Sequence, residues 1–256
     1  MFAGALPLVW RLSIVLLAGI AAGIANGIAG GGTFITFPTL LSLGVPALTA
    51  NITTTVGVVP SYIGSLRVFR DQLRPHKQLL ISLLPSILLG TALGTALLLN
   101  GSASTFRSIV PWLVILAVCM VIIQPKVAKK LAARGPRAEH GGLGLRVGVF
   151  LAGVYGGYFG AGMGILLLAV LALAMPYEIL ELQGLRNAIS LGINIVAALI
   201  FVVHGHLAWK YVVMLLIGTL IGGWLGALLL TKLSPLVVRL LVIAIGVATT
   251  IKLALS

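Results

Sequence analysis

The chain has 256 residues, of which 60% are hydrophobic and only 8% charged, with a mean hydropathy of +1.19 and a formal net charge of +13. Soluble domains are about 45–50% apolar and about 25% charged, so this composition excludes an ordinary water-soluble core and points to the membrane. The basic excess does not point to nucleic acid, because most Lys and Arg residues crowd into the stretches 67–77 and 126–146, and the single Cys119, set in an apolar run, is expected to pack as a small core residue rather than form a disulfide or bind metal.

In chain order the sequence divides into ten hydrophobic pieces: 12–29, 33–45, 50–69, 78–99, 107–125, 143–159, 162–175, 184–203, 208–230 and 235–255. The first is too long, and followed by too much further membrane, to be a signal peptide. The second piece of each group of five is short. About 13 residues of helix rise only about 20 Å, less than the ~30 Å hydrocarbon layer, so 33–45 and 162–175 are expected to be re-entrant or parts of broken helices. The basic stretches fall between pieces, where the positive-inside rule places them in the cytoplasm, with anionic lipid heads as an additional contact.

The pieces form two sets. Gly23, Gly27, Gly30, Gly32 and Pro46 meet Gly153, Gly157, Gly160, Gly162 and Pro176 at a constant offset, and after a short insertion Asn51–Thr54 meets Asn187–Ser190. The chain is therefore expected to be all-α, a polytopic membrane protein of two repeats with about five segments each. The divisions are a first transmembrane repeat at 1–125, a basic cytoplasmic linker at 126–142 and a second transmembrane repeat at 143–256. If the short pieces count as crossings the repeats are inverted; if they turn back the repeats are parallel. The charges do not separate the two arrangements, and the inverted one is expected by analogy with transporters that use discontinuous helices.

The glycine clusters identify a candidate site. Consecutive glycines at Gly30, Gly31 and Gly32, before Thr33, exceed what helix packing of the GxxxG kind needs, which Gly19, Gly23 and Gly27 at spacing four would satisfy. A break there bares main-chain N–H groups at a positive helix end, a disposition suited to an anion. Gly160, Gly162 and Gly164 would form a second arm. No Lys-Ser/Thr follows the glycines, so they are no nucleotide loop. Asn51, Thr54 and Thr55 lie on one helical face after the first break, and Arg186, Asn187, Ser190 and Asn194 form the corresponding stripe after the second. A charge in a membrane segment is costly, and a guanidinium fork suits oxyanions. Alternatively, Asn51 and the threonines cap and join helices, and Arg186 snorkels or pairs with Glu178 or Glu181. His204 and His206 flank a glycine without further ligands nearby. No catalytic constellation, metal site or cofactor motif is present in the sequence.

The segments "GIAGGGTFITFPTLLSLGVPALTANITTTVGVVPSYIGS", "GVYGGYFGAGMGILLLAVL" and "GLRNAISLGINIVAALIFVVHGHLAW" resemble the two repeat signatures of the TauE/SafE sulfite-exporter family, also called the toluene-sulfonate uptake permease family. The resemblance covers essentially the whole chain, with Arg186 where similar sequences often have lysine. It implies a non-enzymatic carrier in the bacterial inner membrane for sulfite, sulfoacetate, other organosulfonates and related small anions. Its expected partners are the small anion and membrane lipid; proton coupling and a homodimer stand open, and an anion channel is the alternative to a carrier.

Overall fold

The computed structural model describes residues 7–28, 30–132 and 142–229 together with Ala244. The tenth hydrophobic piece, 235–255, lies outside the described residues, apart from Ala244. The rest is helical, with no strand among the described residues: α1 (Leu8–Ile28), α2 (Thr33–Ser42), α3 (Ala47–Gly57), α4 (Val59–Val68), α5 (Arg70–Leu73), a 3-10 turn at Arg74–His76, α6 (Lys77–Asn100), α7 (Ala103–Ala132), α8 (Leu143–Tyr158), α9 (Met163–Ala174), α10 (Ile179–His204) and α11 (Trp209–Leu229). Among the described residues, five helical stretches are long and apolar enough to cross a membrane. Their outward surfaces, with that of α8, carry Leu17, Leu89, Trp112, Leu151, Leu199 and Val203, all exposed. So large an apolar exterior belongs in lipid.

The piece expected at 50–69 is two helices. Pro60 has no N–H to give to the carbonyl four residues back, and Ser61 N–H bonds to Val58 rather than to Gly57. The freed Gly57 carbonyl instead accepts the Thr219 hydroxyl at 2.6 Å. Two further expectations change. Helix α7 continues past 125 to Ala132, and Cys119 is exposed on its outer face rather than buried, because neighbouring positions such as Val114, Ala117, Val118 and Val121 already supply the inward stripe.

Helix directions follow from which residues meet. Along α1 and α11, Gly19 meets Gly218, Ile20 meets Gly222 and Ile24 meets Gly226, so the two run parallel; Phe150 with Gly90 and Val154 with Gly94 make α8 and α6 parallel as well. Ser61 with Gly223 and Gly64 with Trp224 align α3–α4 with α11, whereas Ile52 with Gly205 and Phe69 with Gly184 set α3–α4 against α10. His76, just before α6, with Glu181, and Ile87 with Gly192, align α10 with α6. One set, α1, α3–α4 and α11, thus runs opposite to the other, α6, α8 and α10. Corresponding helices of the two halves point in opposite directions, and the repeats are inverted.

The halves are also exchanged in their packing. The first helix of each half lies on the fourth helix of the other, α1 on α11 and α8 on α6. Small residues make this approach feasible: a Cβ on Gly23 would stand 2.5 Å from the Gly223 nitrogen, and one on Gly157 2.6 Å from the Thr91 carbonyl oxygen. Without a hydrophobic drive between helices in lipid, such close van der Waals contact is what associates them. Gly19 and Gly23 accordingly serve packing.

Candidate functional site

Both short helices start at a glycine that supplies no capping side chain, Gly32 for α2 and Gly162 for α9. The chain reverses before each in the same way. Gly30 (φ 78°) and Gly160 (φ 77°) are left-handed, a conformation that favours glycine. Gly30 N–H bonds to Ala25 and Gly160 N–H to Tyr155; Ile35 and Thr36 bond to Gly32 as Ile165 and Leu166 bond to Gly162. The repeat seen in the residues is therefore a repeat of main-chain hydrogen bonds.

The two breaks touch. A Cβ on Gly164 would lie 3.0 Å from Gly30 Cα and 3.6 Å from Arg186 Cδ, and one on Gly30 would lie 3.4 Å from Arg186 Nη1. Arg186 is the largest fully buried side chain, 1% exposed. Its Nη2 donates to the Asn26 carbonyl at 3.2 Å and to Asn187 Oδ1 at 2.9 Å, while Nη1 has no partner. Neither acidic residue offered by the sequence is its partner. Glu178 and Glu181 close a capping box at the start of α10, and Glu181 lies 3.8 Å from His76 Nε2, with the His76 ring on Tyr177.

Asn26 organises this junction. Its Oδ1 accepts Gly32 N–H at 2.8 Å, its Nδ2 donates to Ser61 Oγ at 3.1 Å, and its carbonyl receives Arg186. Ser61 Oγ then donates to the Val58 carbonyl. One side chain thus ties the first break to the α3–α4 break, and its main chain holds the buried cation. Tyr62 is also buried, with its hydroxyl facing Ser190, Asn194 and Arg186. Neither Asn26 nor Tyr62 stood out in the sequence. The available signals were an amide one turn before Gly30, and an aromatic hydroxyl eleven residues, about three turns, after Asn51.

The remaining candidate residues divide among three places. Ser190 and Asn194 join Arg186 and Asn187 on the inner face of α10, where Ser190 Oγ and Asn187 Nδ2 lack partners and Asn194 donates to the Ser190 carbonyl. Asn51 reaches the other half, donating from Nδ2 to the Tyr158 carbonyl at 3.0 Å. Thr55 bonds back to the Asn51 carbonyl, and Thr54 Oγ1 is buried without a partner. Gly162 (φ 74°) and Thr33 lie apart from Arg186: a Cβ on Gly162 would approach Ala117 and Phe34, and Thr33 borders a small apolar pocket with Phe34, Phe37, Val114, Phe159 and Ala161. Gly31 is buried in the first break, and Gly160 faces only its own helix end at Gly156.

The arrangement is reciprocal in outline. Each half's third helix sends a polar side chain to the C-terminal carbonyls of the other half's first helix, Asn51 to Tyr158 and Arg186 to Asn26. Chemically, the atoms left over around Arg186 are donors: Nη1, Asn187 Nδ2 and the Ser190 hydroxyl. Among the described residues no group of three metal-ligating side chains occurs.

The sequence profile of the family described as "Sulfite exporter TauE/SafE" matches residues 15–253. A "Probable membrane transporter protein" from Haemophilus influenzae is 25% identical over 242 residues, covering 94% of each chain. A "Probable membrane transporter protein ORF9" from Sinorhizobium is 24% identical over 252 residues, covering 94% of this chain and 92% of its own. No solved structure gives a significant match.

Proposed function

Because the chain belongs to the sulfite exporter TauE/SafE family and is a multi-pass membrane transporter, we propose that it is a secondary carrier, working as an exporter in a bacterial inner membrane, of small sulfur or organic oxyanions such as sulfite, sulfoacetate or other organosulfonates. The observation that carries this reading is the buried guanidinium with an open Nη1 at the crossing of two glycine breaks. An anion leaving water loses its hydration, and charge-assisted hydrogen bonds from Arg186, helped by Asn187 and Ser190, are the replacement. Each such bond is worth about 1.5–3 kcal/mol.

Inversion supplies a route to alternating access. If the two halves adopt slightly different conformations, exchanging those conformations turns a site closed toward one face into a site closed toward the other. The breaks are the elements able to move, since their backbone is held by a few hydrogen bonds rather than by a continuous ladder.

The test uses purified protein in proteoliposomes. Labelled sulfite and organosulfonates should be taken up faster when the same unlabelled anion is inside, a counterflow that a channel does not show. Arg186→Lys should retain part of the rate and Arg186→Gln should lose most of it. Full counterflow in Arg186→Gln would remove Arg186 from recognition, and uptake without any counterflow would make the protein a channel.

A further inference from the structure

We infer that the Arg186 site holds a single negative charge at a time, so that it discriminates monovalent oxyanions from divalent ones of the same size; this rests on the anion reading above and narrows it to hydrogensulfite and monosulfonates, against the dianionic forms of sulfite and sulfoacetate. The inference begins with a count of charge. The whole chain has four acidic residues. Asp71 is exposed and paired with Arg74, Glu178 and Glu181 cap α10, and the fourth, Glu139, lies in the 126–142 stretch outside the described residues. Among the described residues only Arg186 and His76 are buried and able to carry a positive charge, and His76 is held by Glu181 and Tyr177 away from the breaks. Arg186 therefore brings one positive charge into a region otherwise lined by neutral amides and hydroxyls.

The second half of the observation is an asymmetry within the duplication. Asn187 and Ser190 have counterparts in Asn51 and Thr54, but Arg186 falls on Ala50. A twofold-related site could have carried two cations, one from each half; among the described residues this one carries one. An isolated buried charge is unfavourable until compensated. One anionic charge completes the compensation. A second would leave a net negative charge in the same low-dielectric setting, with no further buried cation among the described residues, other than the distant His76, to answer it. The donors Arg186 Nη1 and Asn187 Nδ2, with the Ser190 and Tyr62 hydroxyls beside them, suit the oxygens of one sulfonate head without adding charge.

Binding to the purified full-length protein distinguishes the outcomes, with methanesulfonate as the monovalent probe and sulfate as the divalent one, compared at equal ionic strength by calorimetry and by ligand-dependent thermal stabilisation. Methanesulfonate should bind at least tenfold more tightly than sulfate. Inorganic phosphate should weaken by a similar factor as rising pH gives it a second charge, while methanesulfonate stays level over the same range. Arg186→Lys keeps the charge count and should keep the order of the anions at lower affinity; Arg186→Gln should bind neither. If Arg186→Gln does not fold, the order of the anions on the parent protein and on Arg186→Lys still decides. Sulfate binding as tightly as methanesulfonate, with Arg186→Gln losing both, overturns the single-charge inference and leaves the anion reading intact. Absence of binding by every anion overturns the anion reading, and this inference with it.

Discussion

The two glycine breaks share a left-handed glycine, Gly30 and Gly160, and the flanking hydrogen bonds, but Gly32 is right-handed (φ −61°) where Gly162 is left-handed (φ 74°), and they differ in what holds them. In the first, the Asn26 amide fastens Gly32 N–H, reaches Ser61 and leaves its carbonyl to Arg186. In the second, the Tyr155 hydroxyl bonds to the Ala161 carbonyl, and position 156, the counterpart of Asn26, is a glycine against which Met163 and Ile193 pack. The helices that follow differ in kind as well: α2 has Thr33, Thr36 and Thr39, whereas α9 is apolar but for its glycine. The two halves thus keep part of the conformation and differ in chemistry. One half supplies a polar break, the other supplies the cation that leans on it.

Substitutions at matched positions measure that divergence. The largest effect is expected where the breaks touch. Gly30→Ala forces a left-handed non-glycine residue, at about 1–2 kcal/mol, and also drives a methyl to 3.0 Å from Gly164 Cα; efflux should fall at least a hundredfold and the melting midpoint should drop. Gly160→Ala carries the same backbone strain but meets only the Gly156 carbonyl oxygen, at 3.2 Å, so its loss should be distinctly smaller. Equal losses in paired efflux and melting assays would mean that the contact between breaks is immaterial.

Next come the two fasteners. Asn26→Ala strands Gly32 N–H in a buried setting, where an unmet group costs about 1–3 kcal/mol, removes one donor from Ser61, whose hydroxyl keeps its bond to the Val58 carbonyl, and releases the geometry around Arg186. Tyr155→Phe removes one hydroxyl and keeps the ring, for about 1 kcal/mol. Thermal unfolding and substrate affinity should both separate these variants, and a Tyr155→Phe protein as impaired as Asn26→Ala would contradict the division of labour. The smallest effect is expected at Gly144, where an added methyl meets nothing within 4 Å. Gly144→Ala should leave efflux unchanged and stability within about 0.5 kcal/mol, which sets the baseline for the glycines that matter.

How much of this was legible in the sequence depends on range. The breaks, the short helices and the duplication were readable because they are local patterns repeated at one offset, and Arg186 because a charge stands out in an apolar run. Its partner was not. Glu181 is near in sequence, but five residues along a helix place it roughly 140° around from Arg186, and the carbonyl that Arg186 does reach belongs to the other half. Tyr62 escaped for the same reason, and so did Asn26, whose partners Ser61 and Arg186 are far away in the chain although Gly32 is only six residues on. The α3–α4 break had a visible cause in Pro60, yet its stabilisation by Thr219 depends on α11. The direction of the repeats required the helix pairs themselves, because loop charges fit either arrangement.

The exchange of helices between halves bears on how the protein is made. The glycine surface of α1 leaves the ribosome well before the surface that covers it, on α11, since Gly23 packs against Gly223 far along the chain. At about 5–20 residues per second α1 waits on the order of ten to forty seconds in the bilayer with its stripe facing lipid or a temporary partner. The α6 and α8 stripes, close in sequence, close up much sooner. Assembly should therefore begin with the α6–α8 pair and finish with the α1–α11 pair, and truncation before α11 should leave an inserted but unsealed chain for membrane proteases to remove.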